Sequence, residues 1–358
     1  MAFSTIDKSS LYQNTVLYEG TGSSNAITGV GFQPDLTWVK DRDATNWNCV
    51  MDSVRGASKV LYSNENDAEA TVATLLTSFD SDGFTLGTSG DGNSNTNGFA
   101  SWNWKAGTTG SGSTSGSGSA KTYSYSKNLT SGFSIIKYVG NGTAGHTIPH
   151  ELEAVPDLIL VKNLDAGSTE WRNLYPNVAV GNTPNNAHYN LNLNSTNTWN
   201  NGTEFNDTMP TTTVFSVNGG DTNTNDVNYI AYCWKSIPGY SRINFYVGNG
   251  QNNGAFVWTG FRPTFIMIKN SAETRDWYNF DYRRDGMNSS DASYANRSLR
   301  PNTNATEATA SGYLLDILSN GFKMRDNSTG INESDCQYIY MAFGQPIISN
   351  SGICATAR

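Results

Sequence analysis

The chain has 358 residues, enough for two or three ordinary domains. Charged residues are few (15%), Gly, Asn, Ser and Thr are abundant, and aromatics are high (12%), a balance that favours short strands joined by polar turns over helices. A net charge of -8 with scattered signs gives no footprint for nucleic acid, and no apolar run approaches the roughly 18 residues that cross a bilayer.

Residues 1–14 read as a polar lead-in; with neither a basic nor an apolar segment they do not read as a signal peptide, so folding in a cytoplasm is expected. A first strand, Thr15-Val16-Leu17-Tyr18, closes on Glu19-Gly20-Thr21-Gly22. It returns as Tyr138-Val139-Gly140-Asn141-Gly142 and as Tyr246-Val247-Gly248-Asn249-Gly250. Behind each tyrosine, after 16, 18 and 17 residues, stands a proline: Pro34, Pro156 and Pro263. Each proline opens a dense apolar run and is followed six residues later by a lysine: Lys40, Lys162 and Lys269. Proline is tolerated where a strand begins, and the runs are too short and too rich in branched and aromatic residues to favour a helix. They predict the central strands of three related domains.

Glu69 precedes Phe84 by 15 residues and Glu307 precedes Phe322 by 15, with Asp82-Gly83 and Asn320-Gly321 as hairpin turns. Each repeat then closes with an aromatic strand: Phe99-Ala100-Ser101-Trp102-Asn103-Trp104, Tyr229-Ile230-Ala231-Tyr232-Cys233-Trp234 and Tyr338-Ile339-Tyr340-Met341-Ala342-Phe343. Alternation puts Trp102 and Trp104 on one face and Phe99, Ser101 and Asn103 on the other. The expected fold is all-β: three tandem antiparallel β-sandwich, jelly-roll-like repeats over 1–106, 121–237 and 238–358, the last with a C-terminal tail. Residues 107–120, almost pure Gly, Ser and Thr, predict a flexible tether that lets the first domain swing. The second repeat lacks the Glu-Ala element and carries an Asn/Thr-rich stretch, 182–212, open to a separate task.

Chemistry-bearing residues are sparse. Cys49, Cys233, Cys336 and Cys354 show no CxxC spacing and read as buried or free thiols. His146 and His150 are four apart, but Pro149 between them breaks the helical context a zinc pair needs; His188 stands alone. Asp80-Ser81-Asp82-Gly83 and Asp91-Gly92-Asn93 are incomplete as calcium loops and read as turns. Gly248-Asn249-Gly250 is followed by turn rather than helix, so no phosphate cradle is expected. Asp276, Asp281 and Asp285 beside Trp277 and Tyr282 suit a sugar in principle, but their alternating string reads as an edge strand. No catalytic residue, cofactor or metal is expected. Trp47, Trp171, Trp199 and Trp277 lie in polar stretches and are the candidate contacts for a glycan or a partner, the alternative being burial at sandwich ends or between subunits.

The string GFQPDLTWVKDRDATNWNCVMDSVRG, the Glu69-Ala70 element, LLTSFDSDGFTLG, Ala100-Ser101-Trp102-Asn103-Trp104-Lys105-Ala106-Gly107, Gly145-His146-Thr147-Ile148-Pro149-His150 and the close Ala355-Thr356-Ala357-Arg358 are, taken together, similar to a repeat family of marine bacteriophages of the cyanophage and pelagiphage kind. The resemblance covers nearly the whole chain. It implies a non-enzymatic virion structural protein, a tail fibre or appendage or a capsid decoration, that is docked on other virion proteins, contacts the host surface and forms a homo-oligomer. The alternatives are a host-glycan-binding adhesin (a receptor-binding protein) and, third, a glycan depolymerase. The resemblance brings no catalytic residues with it.

Overall fold

The computed structural model describes residues 4–181, 186–284, 288, 297–308, 312–348 and 354. The three proline-led runs are strands, and each sits third in the same local arrangement. Module one holds β1 (Gln13–Glu19), β2 (Asn25–Ile27), β3 (Leu36–Asp41), β4 (Cys49–Asp52), β5 (Lys59–Tyr62), β6 (Ala70–Thr71), β7 (Leu76–Asp80), β8 (Gly83–Leu86), a helical turn α1 (Gly90–Asn93) and β9 (Gly98–Trp104). Module two holds β10 (Thr108–Ser113), β11 (Ser115–Gly116), β12 (Thr122–Asn128), β13 (Phe133–Val139), β14 (His146–Pro149), β15 (Leu158–Asn163), β16 (Arg172–Leu174), β17 (Tyr189–Asn192), β18 (Asn200–Asn201), β19 (Val214–Val217) and β20 (Asn228–Trp234). Module three holds β21 (Ser241–Val247), β22 (Phe256–Trp258), β23 (Phe261–Asn270), β24 (Trp277–Asp281), β25 (Leu315–Leu318), β26 (Gly321–Met324) and β27 (Gln337–Pro346).

In each module the closing strand lies between the tyrosine strand and the proline-led strand: β1-β9-β3, β13-β20-β15 and β21-β27-β23, all antiparallel. A smaller sheet, β2-β8-β7, β11-β14-β19 or β22-β26-β25, completes each sandwich. The two Asx-Gly hairpins join β7 to β8 and β25 to β26, as the turn chemistry predicts.

Alternation along the closing strands then sorts their side chains between two cores. Phe99, then Tyr229, Ala231 and Cys233, then Tyr338, Tyr340 and Ala342 fill the three sandwich interiors. Their neighbours Ala100, Trp102 and Trp104, Ile230, Tyr232 and Trp234, and Ile339, Met341 and Phe343 all enter one further cluster that draws on every module. The large sheets thus turn their outer faces toward each other around a pseudo-threefold axis. Trp104 meets Trp234 edge-on at 6.2 Å and Phe343 at 5.8 Å there, and these are the equivalent last residues of the three aromatic strands. A sheet covered on both faces must be apolar on both, which is why these strands read as continuous aromatic runs.

One expectation changes. Residues 107–120 are not a tether. They form β10 and β11, which pair with β12 and β14 in module two. Their missing side chains are what admits the rings of the facing strand: Gly110 lies opposite Tyr125 and Gly112 opposite Tyr123, and a Cβ on either glycine would stand 2.5 or 2.8 Å from those side chains. Composition alone misleads here because backbone pairing needs no side chain. Module one therefore has no slack on which to swing, and the lead-in also contributes Ile6 to the shared core. The Asn/Thr-rich stretch 182–212, of which 182–185 lie outside the described residues, supplies β17 and β18 to the module-two sheet.

Candidate functional site

The repeated lysines show how the modules are joined. All three are fully buried, in the company of backbone carbonyls. Lys40 Nζ donates to Asn46 O at 2.6 Å and crosses to Asn304 O of module three at 3.0 Å. Lys162 Nζ donates to Thr169 O at 2.7 Å and crosses to Asn66 O of module one at 3.1 Å. Lys269 Nζ donates to Asn270 O and crosses to Thr196 O of module two at 3.1 Å. One reaches three, two reaches one, three reaches two. Burial lowers these ammonium groups, Lys40 and Lys162 to about 8 and Lys269 to about 7.

The residue opposite each lysine on the neighbouring strand repeats the step. Trp171 Nε1 donates to Tyr62 O of module one at 3.0 Å, and Trp277 Nε1 to Asn192 O of module two at 3.1 Å. Asn48 takes this place in module one and donates to Thr303 O of module three at 2.7 Å. Trp171 and Trp277, read from their polar surroundings as candidate glycan contacts, are 0% and 1% exposed at module boundaries, out of reach of a sugar in solution. Trp199 is half-buried against the shared core, its indole N–H 3.3 Å from Gln337 Oε1 of module three. Trp47 remains open, 40% exposed over the Tyr62 ring at 4.5 Å. A polar flanking sequence does not show that a second module covers the ring.

Buried ion pairs bridge two of the three boundaries. In module one Asp52 holds Arg55 and accepts the Tyr232 hydroxyl of module two at 2.7 Å. In module three Asp281 holds Arg284 at 2.6 Å and accepts Trp102 Nε1 of module one at 3.1 Å. By strand register the third carboxylate position is Tyr175 and the third donor position is Met341, so the carboxylate and its donor are both replaced there. Glu307 closes the module-three cluster, binding Arg284 at 3.0 Å and Arg42 of module one at 2.8 Å. Burial pushes its carboxyl up, but Arg284 and Arg42 outweigh this and hold it below the usual value. Asp276 pairs with Arg300 at 3.2 Å, and Asp285 lies outside the described residues. The string around Trp277 is the outermost strand of its sheet, as read, yet fully buried: Leu299 bridges to Asn279 on its open edge, Tyr278 and Phe280 enter the module-three interior, and Trp277 and Asp281 meet modules two and one.

The remaining chemical candidates are also engaged in structure. His146 and His150 are buried, bonded to Thr114 Oγ1 at 2.7 Å and Thr211 O at 3.2 Å, and burial lowers both. Asp82 accepts the backbone N–H of Gly29 and Gly31 at 3.0 and 2.6 Å, while Asp91 and Asn93 lie in α1. Among the described residues no group of three or more His, Cys, Asp or Glu side chains converges as a metal site would require.

Sequence reading missed a buried asparagine six residues before each closing aromatic: Asn93, Asn223 and Asn332. Each side-chain oxygen accepts the central N–H of the Gly-x-Gly turn, at 2.8, 2.8 and 3.0 Å, and so clasps the first strand to the last. The constant spacing was the available signal. Also missed was the edge of module three, where Phe245 and Val247 on β21 and Phe256 and Trp258 on β22 are 36 to 54% exposed. These are four of the eight exposed large apolar side chains among the described residues; Phe245 and Val247 share the face of Ile243 on the large sheet, and Phe256 and Trp258 lie on the outer face of the small one. Arg242 stacks on Trp258 at 4.8 Å, linking the edge strands of the two sheets. A cleft of about 620 Å³ between modules two and three opens beside them, lined by Asp157, Lys235, Arg242, Trp258 and Ile347. This surface offers rings, a guanidinium and backbone hydrogen-bonding groups.

Residues 8–346 match the family described as a domain of unknown function (DUF7483), and the chain belongs to that family. No curated protein and no solved structure matches it.

Proposed function

We propose that this member of an uncharacterised family is a non-enzymatic structural protein of a bacteriophage particle surface, a tail appendage or head decoration docked on other virion proteins. The observation that carries the reading is the closed ring of modules. Three sandwiches share one core, and the buried lysines and two of the three boundary clusters join neighbours rather than face a pocket. Charged groups spent this way yield a stiff body with a fixed threefold outline. Such an outline matches a threefold position in a symmetric assembly, where a trimeric fibre or a capsid lattice point presents three like surfaces. The phage-like sequence resemblance supplies the setting.

Cryo-electron microscopy of the virus particle that encodes the chain tests this. The expected result is density for three sandwiches around a local threefold, fixed to another virion protein. Absence from purified particles overturns the reading, and release of reducing ends from host polysaccharide by the purified protein replaces it with a depolymerase.

A further inference from the structure

Comparing the three modules at one place shows an unfilled position. The edge formed by the tyrosine strand and the first strand of the small sheet is treated differently in each. In module two it is covered: β12 pairs with β13, β10 pairs with β12, and β11 pairs with β14. One Gly/Ser arm, residues 107–128, runs over both sheets to do this. In module one the edge is bare but blunted, with exposed Glu19, Ala26 and Thr28 at its positions, a charge and small side chains of the kind that discourage pairing. In module three, register places Val247 where Glu19 stands, and Phe256 and Trp258 where Ala26 and Thr28 stand. Phe245 replaces Leu17. Among the described residues no strand pairs with the outer side of β21 or β22.

The backbone along β21 is in the state expected of an edge waiting for a partner. The N–H of Ile243 is held by Ser236 Oγ at 3.0 Å, and that of Phe245 by its own neighbour Asn244 Oδ1 at 2.8 Å. In module two the residues at those positions, Ile135 and Lys137, face Ser126 and Ser124 of β12 instead. A local side-chain bond that a ladder bond can replace costs little to exchange.

We propose that the β21/β22 edge of module three binds an extended Gly/Ser-rich polypeptide arm of a partner protein, which adds a strand there as residues 107–128 add strands to module two. The chemistry of the arm follows from the covered copy. In module two the strand that lies on the edge itself is β12, which sets Ser126 and Ser124 opposite Ile135 and Lys137, the counterparts of Ile243 and Phe245. At module three the Phe245 ring belongs to the receiving edge, so the arriving strand brings a small residue opposite it, as Ser124 stands opposite Lys137. Main-chain bonds give such an arm its hold, and alternate side chains give its selectivity. This inference stands apart from the virion reading, since it needs only the internal comparison.

The test uses the full chain and a fluorescently labelled synthetic peptide with the sequence of residues 107–128, titrated by anisotropy. Two variants block the edge without touching the cores. Phe245→Pro removes an outward N–H at an edge position where proline is tolerated. Trp258→Ser removes the ring. The expected result is saturable binding to the wild-type chain, weakened at least ~tenfold in both variants, with melting temperatures unchanged within about 2 °C. Absence of binding overturns the proposal. So does equal binding to wild type and variants, which would place the peptide on module two or elsewhere. Sedimentation of the chain alone provides the last arm: a dimer that both variants dissolve would make a second copy, not a partner's arm, the occupant.

Discussion

Glu307→Gln tests the ring of modules most directly. The side chain is 5% exposed, spans modules three and one, and accepts Arg284, Arg42 and Arg297 at 3.0, 2.8 and 3.3 Å. Glutamine keeps the shape and removes the charge, leaving the fully buried Arg284 with Asp281 alone. Removing one partner of a buried pair costs about 3–5 kcal/mol. An unfolding entropy of about 2.1 cal/mol/K per residue, taken over 358 residues, gives about 0.75 kcal/mol/K, so a chain melting as one body loses about 4–7 °C. Glu69 is the control: it occupies the corresponding element of module one and pairs with Arg55 and Lys59 of its own module, at 3.4 and 3.2 Å. Glu69→Gln should cost less than Glu307→Gln, because Glu69 is more exposed (13%) and its contacts are longer. The Glu307 contribution is pH-dependent in a known direction. Its folded-state pKa lies below the unfolded one, so its stabilisation is full above the unfolded value, about 4.3, and disappears as pH falls through the folded value. Scanning calorimetry of wild type and both variants at pH 7 and pH 3 reads all of this. Equal losses for the two variants, or separate transitions for the three modules in the wild type, would refute the shared-core reasoning.

Four other outcomes are expected. Gly248→Ala places a Cβ 2.2 Å from Glu333 O and should cost several kcal/mol, on the order of a severe core clash, whereas Gly219→Ala meets nothing within 4 Å and should be near neutral by denaturant titration. Because burial lowers His146 and His150, the unfolded chain binds protons first as pH falls below about 6.5, so melting temperature should drop between pH 7 and 5, and a flat profile would contradict their buried neutral state. A maleimide reagent should label exposed Cys354 quickly, and Cys49 and Cys233 only after denaturation, as mass spectrometry of the labelled peptides will show. Limited proteolysis with a non-specific protease should spare residues 107–128, because they are paired strands; early cleavage there would restore the tether.

Much of the fold was legible because repetition multiplies a weak local signal. Pro34, Pro156 and Pro263 with their lysines, the Gly-x-Gly turns, the two Asx-Gly hairpins and the three closing aromatic strands each recur at nearly constant spacing, and all mark the elements they were read as marking. Alternation even assigned Trp102 and Trp104 a common face. Local pattern states which side chains share a face; it cannot state what that face meets. The outer faces of the large sheets could have been wet, or covered by other subunits. Only the tertiary structure turns them inward onto one axis, and that single fact buries Trp171 and Trp277, gives Lys40, Lys162 and Lys269 their carbonyls across module boundaries, and pairs Glu307 with Arg42. The Gly/Ser arm failed for the opposite reason: its order comes from backbone hydrogen bonds and from rings on another strand, neither of which is written in its own side chains. Sequence by itself determined the module and its copy number; the relation between copies, and which of the equivalent edges carries a covering strand, came from packing, because burial depends on residues far away in the chain.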